Sequence, residues 1–372
     1  MPDLGVRLQL MIGQKVPLPA PYAVMESFVS LEVNSNDRER DGFQMTFTLG
    51  KDSLIDYGLL LNGYFDPPNR IVIAVSFGVV FEVLIDGVIT SHQVVPSNRS
   101  GESTLIVTGE DISLMLDLED RSRTHPHQRD SEIVKNLLKN YETFGITAKV
   151  TTTTDEPAEI NRVPSQQESD LGYIWRLAQR NGFVFSIEPT TPGKSEAYWG
   201  PDNRSGQPQP PLSMNMGPQT NVDQPINFGF NVLGPVAPQV TILEPITKTA
   251  ITIPIPAGLH PPLASRPARA LRRLISRESA HLDSSQGLLR ALSSTTESSD
   301  AVTATGEVDT VRYGQPLRAR RLVSVRGVGA SYNGDYYVKQ VTHRIRQGAY
   351  MQSFTLTREG IGAQKPRVSP QT

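Results

Sequence analysis

The feature that most restricts this chain lies near its end. Residues 334–343 and 349–358 read as two amphipathic β-strands joined by a short polar turn at Gln347 and Gly348. Alternation at period two turns one face of each strand inward and leaves the other wet. An echo of the pair stands much earlier, in residues 88–92 and 103–109. Two related β-units far apart in one chain describe a building block with a geometric task, and argue against an enzyme organised around one cleft.

The rest of the chain divides by pattern. Residues 1–118 are expected to form a first small antiparallel β-barrel. Alternating runs at 6–10, 28–33 and 43–49 supply strands, and turn signals at 34–37, 66–69 and 97–101 separate them. Residues 119–204 are expected to form an α/β insert. Asp130 is placed as the cap of a helix through Ile133, Val134, Leu137 and Leu138. A second helix runs through Leu171, Ile174, Trp175, Leu177 and Ala178, and Asn181-Gly182 gives a left-handed stop. Strands follow at 147–150 and 183–187.

Residues 205–365 are expected to form a second, similar barrel, followed by a flexible tail over 366–372. Its strands are placed at 226–230, 239–243, 302–310, 317–325 and the closing pair. Residues 251–256 are held extended by Pro254 and Pro256 and belong at an edge, because proline cannot donate to a ladder. A helical insertion is placed over 266–292, starting near Pro267. The fold class expected is mainly β with an α+β insert: two tube-protein-like antiparallel barrels plus a small α/β domain.

Composition enters mainly by exclusion. The chain has 372 residues, enough for two or three cores, and a net charge of -2 from 36 basic and 38 acidic residues. That balance demands neither nucleic acid nor an anionic membrane. With no cysteine, disulfides, thiolate metal sites and cysteine nucleophiles are excluded. The N-terminus shows no signal-peptide pattern. The apolar run 71–81 is half the length a spanning helix needs (about 20 residues) and reads as a buried strand, so no membrane insertion is expected.

Candidate chemistry is thin. His125-Pro126-His127 is the one close histidine pair, with no third ligand nearby in sequence, and reads as an exposed loop. Gly329-Ala330-Ser331-Tyr332-Asn333 is a partial nucleophile-elbow match that lies between strands and lacks the closing glycine. Glu110, Asp111, Asp117, Glu119 and Asp120 are acids of the kind a glycosidase pairs, and equally of the kind any surface carries. Phosphate-loop and dinucleotide fingerprints are absent. Arg266, Arg269, Arg272, Arg273 and Arg277 place five arginines within 12 residues. On a helix they would cover much of one side, as a contact for nucleic acid or an acidic partner or as a solvated face over Leu271, Leu274 and Ile275. His92 and His343 read as strand-end residues. No catalytic, cofactor-binding or metal-binding residue is expected, and no cofactor.

One family resemblance is specific in its order. The run from Leu105 to Leu116 is similar to the apolar strand, Gly-x-Asp and short helix of phage baseplate hub proteins. Arg121 and Arg123, the helix through Leu138 and Gly145-Ile146 follow in sequence. Gln166, Ser169-Asp170, Trp175, Leu177-Ala178 and Asn181-Gly182-Phe183 resemble the family's next block. Gly334, Tyr336, Val338, Val341, His343, Gly348, Tyr350, Phe354 and Leu356 match its close. The chain thus resembles the late control protein D group, which includes the hub part of valine-glycine-repeat spike proteins of contractile injection systems.

The resemblance implies a structural, non-enzymatic protein. It implies a homotrimer with a pseudo-six-fold ring that lines the channel and joins the hexameric tail tube to the trimeric spike. Partners would be tube or tube-initiator, spike and baseplate wedge proteins, with DNA or an effector passing transiently through the channel. The site of action would be the virion tail baseplate, assembled in the bacterial cytoplasm. The chain lacks a spike-type repeat and so resembles a stand-alone hub. A tail-associated cell-wall hydrolase and the tail-tip hub of a non-contractile phage are the rival readings.

Overall fold

The computed structural model describes residues 5–14, 16–50, 57–77, 80–99, 101–154, 163–243, 250–253, 261–276 and 300–364. Its backbone is mainly β. One 13-stranded sheet runs through most of the molecule, and it is built from two units of the same plan.

In the first unit the strands lie side by side in the order Phe28–Asn36, Gly42–Thr48, Thr104–Asp111, Val80–Val95, Arg70–Phe77 and Val6–Gly13. In the second the order is Asn227–Phe230, Val302–Asp309, Ala349–Arg358, Gly334–Arg346, Leu322–Arg326 and Gln209–Ser213. Chain order maps onto spatial order identically in both. Each unit also places a short helix, Gly58–Leu61 or Thr310–Tyr313, after its second strand. They differ at the last pairing, which is antiparallel in the first unit and parallel in the second.

The correspondence extends to single residues. Each unit has one long strand interrupted by a one-residue register shift, at Thr90 in one and Lys339 in the other. Just before the shift, Ile89 N–H donates to Asn69 O at 2.9 Å and Val338 N–H to Arg321 O at 2.8 Å. A bulge of this kind sharpens the bend that lets a sheet curl onto itself. Each sheet wraps one apolar core. Leu10, Val33, Met45, Ile73, Ile89 and Val107 meet in the first. Leu212, Val323, Val338, Ala304 and Leu356, with Phe228 packed against them, meet in the second. The fold is thus two similar small β-barrels, antiparallel but for the last pairing of the second.

Equivalent positions in the two cores exchange large for small. Phe43 faces Gly109 in the first unit where Ala304 faces Leu356 in the second. Met45 faces Val107 where Gly306 faces Phe354. A Cβ on Gly109 would meet the Phe43 ring at 2.3 Å, and one on Gly306 would meet Phe354 at 2.7 Å. Core volume is held while side-chain identity is not.

The insert stands on a three-stranded sheet of Val184–Thr191, Lys194–Gly200 and Ile146–Val150. Helices Asp130–Lys139 and Asp170–Asn181 bury Ile133, Val134, Leu137, Leu138, Leu171, Ile174 and Leu177 with Trp199. Val88, Ile112 and Leu116 join the same cluster, so this core is continuous with the first barrel. Gly182 ends the second helix at φ 67°, as its sequence signal implies. Asp130 does not cap the first. Arg129 holds that position with its N–H on the Glu132 carboxylate, while Asp130 turns inward to Arg180 and Asn181.

Three further expectations need correction. The run 71–81 is the first strand of a hairpin plus the start of the next, Arg70–Phe77 and Val80–Val95. Strand 317–325 is shorter, Leu322–Arg326. The helical insertion expected at 266–292 has no helix over its described residues 266–276, which hold the end of one strand, an irregular link and a second strand. Ala264–Pro267 pairs with Gly360–Ala363, and Arg272–Ser276 pairs in parallel with Val236–Leu243. Arg266, Arg269 and Arg272 are exposed, and Leu271, expected inward, is 59% exposed. Partner strands distant in sequence, rather than local period, decide this segment. Arg277, the remainder of the insertion, Pro254 and Pro256, and the tail 366–372 lie outside the described residues. Ala250–Ile253 is an edge strand of a small sheet.

Candidate assembly interface

The two barrels are joined by strand pairing inside the chain. Gly334–Arg346 of the second barrel lies antiparallel to Phe28–Asn36 of the first, with His343 opposite Val33 and Thr342 opposite Asn34. Asp37 N–H donates to Lys339 O at 3.0 Å. Gln340 Nε2 and Thr342 Oγ1 donate to Asn34 Oδ1 at 2.8 and 3.1 Å. Beyond the ladder, Ile345 and Tyr350 enter the core of the first barrel, where Tyr350 stacks on Phe77 at 6.0 Å. The tip of one barrel's hairpin thus completes the other barrel.

His343, expected at a strand end, is mid-strand and 2% exposed, with Nδ1 2.9 Å from the Tyr350 hydroxyl. Burial and the nearby Arg318 charge press its pKa down to about 3, so it stays neutral. His92, too, lies within a strand.

Arginines of the second barrel clamp the joint. Arg318 donates to Glu82 at 2.6 Å and to Val83 O at 2.8 Å. Arg320, held at φ 62°, pairs with buried Asp41 and approaches Glu188 of the insert at 3.6 Å. The Asp111 carboxylate accepts the Asp41 N–H at 2.7 Å. Burial, then the Asp41 charge, raises the Asp111 pKa to about 6. First barrel, second barrel and insert therefore meet around one buried cation.

Several strand edges have no ladder partner among the described residues, and two of them correspond to the two sides of the joint inside the chain. The first is residues 90–95, the outer half of the long strand Val80–Val95. Pairing with Arg70–Phe77 stops at Val88. Its side chains are mostly exposed, Val95 at 43%. The second is the outer edge of Asn227–Phe230, whose other edge pairs with Val302–Asp309. Phe230 is 47% exposed there, Val232 40% and Leu233 54%. Neither edge carries lysine, arginine, aspartate or glutamate. Exposed edges are ordinarily protected by charge, so edges without it offer a place for another strand.

The residues singled out in the sequence have structural roles. His125 is buried, not exposed, and stacks on Tyr173 at 5.5 Å. His127 is exposed at φ 54°. Ser331 sits in the loop before Gly334–Arg346, and its carbonyl accepts from Arg358 at 2.8 Å. Asp111 caps the short helix Ile112–Leu116 through Ser113 N–H at 2.7 Å. Glu110 and Asp117 both pair with Arg40 at 2.9 Å, and Glu119 pairs with Arg121 at 3.1 Å. Asp120 pairs in the ladder opposite Ser169. Asp170 collects Arg121 at 2.9 Å, Tyr141 Oη at 2.8 Å and Gln166 Nε2 at 2.6 Å. This knot explains why the arginine link and the Gln–Ser-Asp block occur together. Among the described residues, no group of three or more His, Asp or Glu could hold a metal ion, and no helix is long and apolar enough to cross a membrane.

Solved structures share this arrangement. A tail protein from Neisseria meningitidis aligns with a TM-score of 0.63 at 13% identity, covering 96% of this chain and 98% of that one. The 43 kDa tail protein of prophage MuSo2 from Shewanella oneidensis aligns at 0.58 with 15% identity, covering 95% and 99%. The chain has a phage tail-protein fold. An E. coli component of the type VI secretion system, described as structurally similar to the T4 tail proteins gp27 and gp5, aligns at 0.55 with 14% identity, covering 93% and 77%. A family model described as the Alg8 N-terminal domain matches residues 18–191, less than half of the chain. No curated protein matches it.

Proposed function

We propose that this chain is a structural hub of a contractile phage tail or a related injection system, of the late control protein D type. The observation that carries the reading is the doubled barrel. Three chains with two like barrels each present six similar units in a ring whose true symmetry is three-fold. Such a ring matches a hexameric tail tube on one face and a trimeric spike on the other. Its domains are a first barrel over 1–118, an insert over 119–204 and a second barrel over 205–365. The barrels line the channel, through which DNA or an effector passes, and the insert faces wedge or spike proteins. Tube or tube-initiator and spike proteins are the axial partners, and the tail baseplate, assembled in the bacterial cytoplasm, is the site of action.

The role is not enzymatic. The chain's buried carboxylates and arginines pair with one another across domain joints, and its free energy of assembly comes from burial at subunit contacts. Permanent contacts of this kind exceed roughly 2,000 Å². The fold shared with tail proteins and a type VI component supports the reading.

Light scattering on purified protein tests it. Three chains of 40.9 kDa would give a particle of about 123 kDa, and class averages in the electron microscope are expected to show six lobes with three-fold symmetry. A monomer at every concentration, alone and with its spike, would overturn the trimer. Clearing of peptidoglycan in a zymogram, abolished by Glu or Asp substitution, would move the protein to the hydrolase class.

A further inference from the structure

We infer that the two bare edges join one copy of this chain to the next, in the register that already joins the two barrels within it. The inference deepens the ring reading, on which it rests, by naming the strands and the residue pairs.

The argument begins with the internal repeat. The shared bulge and the paired hydrogen bonds equate Ile89 with Val338 and Thr90 with Lys339. Counting onward, Gln93 stands where Thr342 stands, Val94 where His343 stands, and Val95 where Arg344 stands. The neighbouring ladders equate Asn227–Phe230 with the part of Phe28–Asn36 that faces the same partners. Val33 is opposite Phe43, Phe43 opposite Gly109, and Gly109 opposite Ile89. Phe228 is opposite Ala304, Ala304 opposite Leu356, and Leu356 opposite Val338. Phe228 is therefore the counterpart of Val33, Gly229 of Asn34, and Phe230 of Ser35.

Within the chain, residues 340–346 of the second barrel use their free edge to pair with Phe28–Asn36 of the first. The first barrel has the same free edge at 90–95, which pairs with no described strand of its own chain. The second barrel has the receiving edge at Asn227–Phe230, equally unfilled. Copying the internal register places Val94 opposite Phe228, Gln93 opposite Gly229 and His92 opposite Phe230 of a second copy. The Asp37 N–H that bonds Lys339 O has its counterpart in Val232 N–H, which the copied register sets against Thr90 O.

The chemistry of both edges agrees. Each lacks lysine, arginine, aspartate and glutamate, and each exposes apolar side chains, Val95 beside the first and Phe230 and Val232 beside the second. The contact is head-to-tail: one kind of edge meets another kind. Heterologous contacts of this type close into a ring when their rotation permits.

The chain's lack of cysteine makes the test clean. In the internal joint the Thr342 hydroxyl touches Asn34, so side chains at this pair of positions meet. A Cβ added at Gly229 finds its nearest neighbour at 3.9 Å and fits without a shift. Oxidising the doubly substituted Gln93→Cys, Gly229→Cys protein is expected to yield a reducible three-chain species on a denaturing gel, while each single variant stays one chain. Asn34→Cys with Thr342→Cys, the internal counterpart, should close within one chain and shows that the geometry permits a bond. Phe230→Glu should convert the trimer seen by light scattering to monomers, with its circular dichroism unchanged.

A trimer that neither cross-links in the Gln93→Cys, Gly229→Cys form nor dissociates with Phe230→Glu would overturn these edges and leave the ring reading standing. A cross-linked ladder running past three chains would support the edges and overturn the three-fold closure. A wild-type monomer without cross-links in the doubly substituted form would overturn both.

Discussion

At the scale of single residues, burial rather than catalysis explains the unusual side chains. His343 in the unfolded chain titrates near 6.5, whereas in the fold it stays neutral down to about 3. Its contribution to stability is therefore complete above pH 6.5 and is lost as the pH falls from there toward 3. At pH 5 the loss is about 2 kcal/mol. Urea melts of wild type and His343→Gln should show the wild-type advantage shrinking by that amount between pH 7 and pH 5. Asp111, with a raised pKa, runs the other way, losing stability as pH rises through roughly 4 to 6, and is common to both proteins. An advantage that stays constant with pH would refute the assignment to His343. A second prediction concerns Gly109. Adding a methyl drives Cβ into both the Phe43 ring and the Val88 carbonyl oxygen, each at 2.3 Å, and overpacking of this kind costs about 1–3 kcal/mol, of which only the Phe43 share can be relieved by a smaller side chain at that position. Denaturant midpoints should fall for Gly109→Ala and recover in part when Phe43→Leu is added. The exchange of large for small between barrels also explains why the first three strands of each gave no sign of kinship in sequence. Complementary volume conserves a core and erases the similarity of the letters.

At the scale of elements, the hairpins were legible and the edges of the chain's middle were not. Period-two alternation is a property of one strand, so the closing pair and its early echo could be read locally. The left-handed stop at Gly182 and the short helix after Asp111 are local too. The arginine-rich segment misled because Leu271, Leu274 and Ile275 are spaced as a helix face would be, while its pairing partner, Val236–Leu243, lies some 30 residues earlier. The bulge at Lys339 matters more than any one side chain near it. Deleting Lys339 leaves Val338 opposite Leu356 and the next residue, Gln340, opposite Thr355, an unbroken ladder that keeps His343 and Ile345 inward but loses the bend and the carbonyl that accepts the Asp37 N–H. That deletion should lower the denaturant midpoint seen by circular dichroism while unfolding stays cooperative, whereas Lys339→Ala should unfold within about 0.5 kcal/mol of wild type.

At the scale of the whole molecule, the joint between barrels could not be seen in sequence because its partners lie some 300 residues apart. Nothing in either strand alone names the other. Arg320 ties that joint to the insert through Asp41 and Glu188. Removing it leaves Asp41 buried beside Asp111 without its cation, a change that costs about 3–5 kcal/mol in buried pairs. Calorimetry should find one main unfolding transition in the wild type and a lower, broadened or divided one in Arg320→Ala. An unchanged single transition would show that the ladder alone couples the barrels. The cysteine-free composition and the near-neutral charge were readable from the start, but they only excluded chemistries, and the geometric reading rested on the repeated β-unit.

The joint inside the chain also sets a rule of counting. Barrels leave the ribosome already coupled in twos, so any closed circle these joints build holds an even number of them. Five- and seven-membered errors cannot arise from this polypeptide, and only alternate contacts incur the entropic penalty of bringing separate molecules together. Parity, written into the order of the strands, does for this protein what a templating scaffold does for others.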